Sequence, residues 1–274
     1  MANGRQELKH ARRIVVKVGT STLTYANGKL NLNRMEHLVR QLADLCNQNK
    51  EVILVSSGAI VVGTSKIGLT GRPRSTKEKQ AMAAIGQGVL MHVYEKLFGE
   101  YGYVVAQILL TKADVDNGKR YINARNTFNT LLDYRVIPIV NENDTVAVDE
   151  IEFGDNDSLS AYVAVLAEAD LLIILSDIDG LYTADPRVAE DAQRISLVTE
   201  ITPDIEALAS SEGGNLGVGG MGTKVLAAKI VNAAGIPLVI ANGDKPEVVD
   251  RGFIGGRCGD IIFAPLLVGN AIVK

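Results

Sequence analysis

The residues able to do chemistry gather in a few short stretches. Residues 213–224 read Gly-Gly-Asn-Leu-Gly-Val-Gly-Gly-Met-Gly-Thr-Lys and run directly into a helix-like segment, 225–234. A backbone so rich in glycine can turn several N–H groups inward, and a helix behind it aims its positive end the same way, so the pair suits a phosphate. Nucleotide binding is therefore the first expectation. A P-loop would need Gly-x-x-x-x-Gly-Lys-Ser/Thr directly after a strand. Here Gly217 and Gly222 are followed by Thr223 and only then Lys224, and the segment ahead, 204–211, reads as helix. This is a different phosphate loop, or else a surface loop punctuated by glycines.

Lys17 is the second chemical residue. It interrupts the β-branched run 14–18, the pattern of a strand buried on both faces. Gly19, Thr20 and Ser21 break that strand, which puts Lys17 near a carboxyl end, where open α/β sheets hold their ligands. A lysine there either faces solvent at an edge or needs an anionic partner. After the strand 52–55, Ser56-Ser57-Gly58-Ala59 offers hydroxyls and N–H groups, either as a helix cap or as ligand contacts.

Two polar clusters follow. Asn141-Glu142-Asn143-Asp144 comes after the strand 136–140, and Gly154-Asp155-Asn156-Asp157-Ser158 comes after a segment, 145–153, whose alternation suggests a β-hairpin. Such density can ligate an ammonium group, a magnesium ion or lysines. The plainer reading makes 141–144 a turn and Asp157 or Ser158 the cap of a helix over 159–168, and both readings can hold together.

Composition removes several function classes. With 274 residues, 47% hydrophobic and 22% charged, the chain can bury a large core, and no linker, repeat or composition break divides it, so one domain over 1–274 is expected. A net charge of −4 and a pI near 5.5 argue against a nucleic-acid footprint. Cys46 and Cys258 lie far apart without a CxxC, which signals neither a disulfide framework nor zinc. His10, His37 and His92 lack ligand spacing. No apolar run is long enough to span a membrane and 1–13 lacks a signal-peptide core, so no membrane partner and a cytoplasmic location are expected.

Helical spacing over 32–49, 80–98, 120–133 and 159–168 alternates with strand runs at 14–18, 52–55, 103–110, 136–140, 171–175, 236–241 and 260–264. The basic run 72–79 before the second of these helices reads as a solvated face. Alternation of this kind predicts an α/β fold, an open and mainly parallel sheet between two layers of helices.

With these residues assembled, the chain resembles the amino acid kinase family, in particular its members that phosphorylate the side-chain carboxylate of glutamate. The resemblance spans 14–264. It is carried by Val16-Lys17-Val18-Gly19-Thr20-Ser21, Val55-Ser56-Ser57-Gly58-Ala59-Ile60, Asn141-Glu142-Asn143-Asp144, Gly154-Asp155-Asn156-Asp157, Gly180-Leu181-Tyr182-Thr183-Ala184-Asp185-Pro186 and Gly219-Gly220-Met221-Gly222-Thr223-Lys224. Relatives acting on aspartate or acetylglutamate usually carry two adjacent glycines where this chain has Gly19-Thr20. Many bacterial members append a PUA domain, and the sequence stops soon after Ala264, so the form without it is expected.

The resemblance implies ATP-dependent formation of γ-glutamyl phosphate and ADP, the first step of proline biosynthesis. It places Lys17 and Lys224 on the transferred phosphoryl group and makes Asp157 the carboxylate that orients them. Gly217, Val218, Gly219, Gly220, Met221, Gly222, Thr223 and Lys224, with Lys17, would hold ATP phosphates, and Ser176 and Asp177 the nucleoside side. Ser57, Gly58, Asn141, Asp144, Asp155 and Asn156 would form the glutamate shell, Asp144 and Asp155 suiting its ammonium. Mg²⁺ would ride on the ATP phosphates, with no protein side chain assigned to it as a metal ligand. Feedback inhibition by proline at the glutamate site and a homo-oligomer are also implied. Two alternatives stay open: a non-catalytic amino-acid or nucleotide sensor on the same fold, and a kinase of the family acting on another small carboxylate. A nicotinamide enzyme would want Gly-x-Gly-x-x-Gly after the first strand, and residues 17–22 hold a single glycine.

Overall fold

The middle of the sheet is made by strands whose residues are apolar on both faces. β1 (Arg13–Val18), β2 (Glu51–Ser56), β4 (Ile137–Glu142) and β5 (Leu171–Ser176) are buried along nearly their whole length, as strands covered by helices on two sides must be. In the computed structural model, which describes residues 8–147, 156–177, 180–183, 189, 191–211, 220–244 and 261–263, they belong to an eight-stranded sheet. Its other members are β3 (Val105–Leu110), β8 (Leu197–Val198), β9 (Leu238–Asn242) and β10 (Ile261–Phe263), in the order β3-β4-β2-β1-β5-β9-β10-β8. Every neighbouring pair is parallel except β9 with β10. β6 (Leu181–Tyr182) and β7 (Arg194–Ile195) form a separate antiparallel pair.

Period-two alternation assigns each strand residue to a face. Ile14, Val16 and Val18 of β1 share one core with residues of α2 (Leu32–Asn47), α3 (Ala59–Lys66) and α4 (Thr76–Gly99). Val15 of β1 joins the other core, with α6 (Gly118–Asp133), α7 (Asn156–Leu166) and α9 (Met221–Ala233). Lys17 therefore shares the face of Val15, under α7 and α9. The short helices α1 (Thr20–Leu23) and α5 (Lys112–Asp116) follow β1 and β3, and α8 (Pro203–Ser211) precedes α9.

In α2 the buried residues are Met35, Leu38, Val39, Leu42 and Leu45, the helical stripe that the spacing predicts, and the Asn31 side chain caps its start by accepting from the Arg34 N–H. α3 and α4 cross in backbone contact: a Cβ on Gly63 would lie 1.9 Å from the Met82 carbonyl oxygen, and one on Gly86 1.8 Å from that of Ala59. Only glycine at both positions allows this approach.

Several boundaries differ from the sequence expectations. α4 begins at Thr76, inside the basic run, because Ser75 and Glu78 form a reciprocal capping box. β4 continues through Asn141 and Glu142, both buried, so only Asp144 to Val146 turn. The expected hairpin over 145–153 is replaced at 145–146 by this turn, and 148–153 lie outside the described residues. α7 starts at Asn156, so Asp157 and Ser158 lie within its first turn and neither is its cap. α9 starts at Met221, four residues earlier than expected, which moves Met221, Gly222, Thr223 and Lys224 from a loop into a helical turn.

Candidate functional site

β1, β2, β4 and β5 are parallel and adjacent, so their carboxyl ends share one edge of the sheet. Lys17, Ser57, Asn141 and Ser176 all stand at that edge, as the general rule for ligand sites in open α/β sheets leads one to expect. α7 and α9 begin above it on the face of Lys17.

Asp157, in the first turn of α7 and fully buried, lies between two lysines. Lys17 Nζ is 2.5 Å from its Oδ1 and Lys224 Nζ is 3.1 Å from its Oδ2. The Thr223 hydroxyl lies 2.8 Å from Oδ2 and 2.7 Å from the Gly220 carbonyl oxygen, and its one proton serves either acceptor. Burial by itself pushes the Asp157 carboxyl up, but the ammonium groups of Lys17 and Lys224 and the Thr223 hydrogen bond outweigh it and hold the carboxyl below its usual range. A charge buried this deeply is tolerated only because it is paired. Two ammonium groups thus meet on one buried carboxylate.

Asn156, the neighbour of Asp157, belongs to a second cluster. Its Nδ2 lies 2.8 Å from the Ser56 carbonyl oxygen, 2.9 Å from Ser57 Oγ and 2.9 Å from Asn141 Oδ1. Asn141 Nδ2 in turn donates to Gln87 Oε1 of α4 at 2.9 Å, and its Oδ1 also accepts from the Glu142 N–H. Ser56 Oγ is 2.9 Å from the Tyr94 hydroxyl, whose pKa burial pushes well above the usual phenol value. This amide chain crosses the sheet edge from α7 on one face to α4 on the other. Consecutive residues at one helix start, Asn156 and Asp157, therefore tie an amide cluster to a lysine cluster.

The other expected residues are placed as follows. Gly58 precedes α3 with a φ of +100°, a conformation that favours glycine. Asp144 opens the turn after β4, where Gln80 Nε2 of α4 donates to the Ala147 carbonyl oxygen at 3.1 Å. Ser176 ends β5, with its Oγ 3.2 Å from Asp177 Oδ1, and Asn242 Nδ2 lies 3.4 Å from the Asp177 carbonyl oxygen. The Met221 side chain is buried in the core of its face, so only its backbone could meet a ligand. Asp155, Gly217, Val218 and Gly219 lie outside the described residues.

Sequence reasoning missed Gln87, Tyr94 and the inward aim of Thr223. Gln87 was detectable, since it sits on the same helical stripe as Ala83, Leu90 and Tyr94, where a polar residue requires a partner. Among the described residues no group of three acidic, histidine or cysteine side chains is placed to hold a metal ion, and no described helix is long and apolar enough to cross a membrane.

Comparison with known proteins agrees with this architecture. A glutamate 5-kinase of Clostridium tetani is 59% identical over 247 residues, covering 90% of this chain and 92% of the relative. One from Clostridium perfringens is 55% identical over 249 residues, covering 89% and 93%. Among solved structures, carbamate kinase from Giardia lamblia bound to AMP-PNP superposes with a TM-score of 0.65 at 18% identity over 93% of this chain and 99% of that one, which establishes likeness of fold. The profile of the amino acid kinase family matches residues 12–242, nearly all of the sheet and both residue clusters, and the chain belongs to that family.

Proposed function

We propose that this chain transfers the γ-phosphoryl group of ATP to the side-chain carboxylate of L-glutamate, giving γ-glutamyl phosphate and ADP, the step that opens proline biosynthesis. The observation that carries the reading is the pairing of Lys17 and Lys224 on the single buried carboxylate of Asp157, in a chain 59% identical to a glutamate 5-kinase. A glutamate side chain is already ionised at neutral pH, so no general base is needed. One of its oxygens attacks the γ-phosphorus as the bond to the β,γ-bridging oxygen breaks, and ADP leaves with that electron pair. Charge spreads over the transferring group, and catalysis consists of alignment and neutralisation.

Lys17 and Lys224 neutralise that charge from two sides. Asp157 keeps their ammonium groups together before the anion arrives, since alone they would repel. Ser57, Gly58, Asn141, Asp144, Asp155 and Asn156 hold glutamate, while the glycine segment 217–224, Ser176 and Asp177 hold the nucleotide. Magnesium carried on the nucleotide phosphates would offset their charge, with water in its remaining positions. Asp157 does not fit as its ligand, because both oxygens already face ammonium groups. Proline, with the same α-carboxylate and a secondary ammonium, would compete at the glutamate shell. A single cytoplasmic domain that assembles as a homo-oligomer completes the proposal.

Trapping the acyl phosphate with hydroxylamine tests it. Hydroxamate should form with L-glutamate only when ATP is present, and faster than with aspartate or N-acetylglutamate. Either of those outperforming glutamate would overturn the substrate, and nucleotide binding without turnover would favour the sensor.

A further inference from the structure

Thr20 stands where the lysine cluster and the proposed glutamate shell meet. β1 and β2 are paired in parallel to their ends, Val18 opposite Ser56, and the Ser57 N–H donates to the Val18 carbonyl oxygen at 3.2 Å. The residues that follow, 19–20 and 57–58, therefore lie side by side at the carboxyl edge of the sheet. A Cβ on Gly19 would lie 3.7 Å from Lys17 Nζ, and one on Gly58 would lie 3.6 Å from Thr20 Cγ2 and 3.8 Å from Thr20 Oγ1. Two consecutive residues thus border the Lys17 ammonium and the start of α3.

The backbone of Thr20 is anchored, since its carbonyl oxygen accepts from the Thr24 N–H and from the Thr24 hydroxyl, both at 2.9 Å. Its side chain is not. Thr20 is half-buried, and among the described residues its hydroxyl has no hydrogen-bond partner. A hydroxyl left open in this way can donate to solvent or to a ligand.

Strand order gives the substrate a direction. β2 lies between β4 and β1. Asp144, which suits the substrate ammonium, follows β4, whereas Lys17 and Thr20 belong to β1 and the turn after it. Two strand spacings, about 10 Å, separate those ends, a span that an extended glutamate covers with a hydrogen bond at each end. The γ-carboxylate then comes to the β1 side, where the Thr20 hydroxyl can donate to one of its oxygens while the other meets phosphorus.

We infer that Thr20 is a further substrate-binding residue: its hydroxyl donates to the γ-carboxylate oxygen of glutamate that does not attack, and so turns the other oxygen toward the phosphoryl group held by Lys17 and Lys224. The inference rests on the proposed reaction at this site. It assigns to Thr20 the reacting end of the substrate, and to Asp144 the ammonium end.

Thr20→Val keeps the shape of the side chain and removes the hydroxyl. Because that hydroxyl has no partner among the described residues, Tm should be unchanged. KM for L-glutamate is expected to rise about tenfold or more, as for loss of a hydrogen bond to a charged group, while KM for ATP stays within about twofold. Thr20→Ser keeps the donor, so its glutamate KM should stay within about threefold of the parent's. A parental glutamate KM in Thr20→Val, a rise that Thr20→Ser shares, or an equal rise for ATP would overturn the inference. So would a Tm lowered in Thr20→Val and not in Thr20→Ser, which would assign the hydroxyl to the fold. If Thr20→Val does not fold, Thr20→Ala is read in the same way. Hydroxamate formation by the parent separates the two levels: a parent inactive toward glutamate refutes the reaction, whereas an active parent that Thr20→Val matches refutes only the role of Thr20.

Discussion

Lys17, near the end of the first strand, and Lys224, in the first turn of α9, approach opposite oxygens of Asp157, at 2.5 and 3.1 Å. They come from opposite ends of the sequence and share one buried counter-ion. As a result, the two lysines are coupled through one carboxylate.

Removing either lysine should lower kcat far more than it raises KM for glutamate. Loss of one preorganised donor typically costs about 10²- to 10³-fold in rate. Because both act on the same group, the double mutant should be much less impaired than the product of the single effects. Steady-state kinetics of Lys17→Ala, Lys224→Ala and the pair measure this, and near-parental kcat in either single mutant would refute the shared clamp.

Asp157→Asn should destabilise the fold, since it leaves two buried ammonium groups without their counter-ion; breaking a buried pair in this way costs about 3 to 5 kcal/mol. Nucleotide phosphates can replace the lost anion, so ATP should raise the Tm of the variant more than that of the parent. A variant as stable as the parent in urea would contradict the pairing.

The same carboxyl predicts a pH dependence. Its folded pKa is depressed, so its contribution is fully present above the unfolded value, about 3.9 for an aspartate, and is lost as pH falls through the lower folded value. Between pH 5 and 8, in this account, no change in stability or kcat arises from Asp157. An acidic limb in that range that vanishes in Asp157→Asn would refute the assignment.

Asp144→Asn should raise KM for glutamate about tenfold to a hundredfold, the equivalent of roughly 1.5 to 3 kcal/mol for a hydrogen bond to a charged group. KM for ATP should be unaffected. An unchanged glutamate KM would remove Asp144 from the shell.

Gly86→Ala should force α3 and α4 apart, because its Cβ would fall 1.8 Å from the Ala59 carbonyl oxygen. Overpacking of this kind costs about 1 to 3 kcal/mol. α3 starts beside Gly58 and Ser57, so glutamate KM should rise along with the loss of stability. Urea melts showing no change would mean that the crossing is looser than described.

What the sequence by itself determined is local. β-branched runs bounded by glycine and polar residues marked β1, β2, β4 and β5, and the stripe of Met35, Leu38, Val39, Leu42 and Leu45 marked α2, because burial on two faces or along one stripe leaves a periodic trace. Lys17 was legible as a charge within an apolar run, which has to find an anion. Tertiary structure decided which anion. Asp157 serves two lysines only because β1 lies between β2 and β5, under both α7 and α9, a juxtaposition that no local pattern encodes. The start of α9 at Met221 was hidden because glycines normally argue against helix, whereas here the buried Met221, Thr223 and Lys224 side chains pull the turn into the fold. Gln87 was legible as a polar residue on an apolar stripe, but its link to Asn141 and Asn156 was not, because each amide satisfies the next across the sheet edge and hydrogen bonds between distant residues leave no periodicity in the chain.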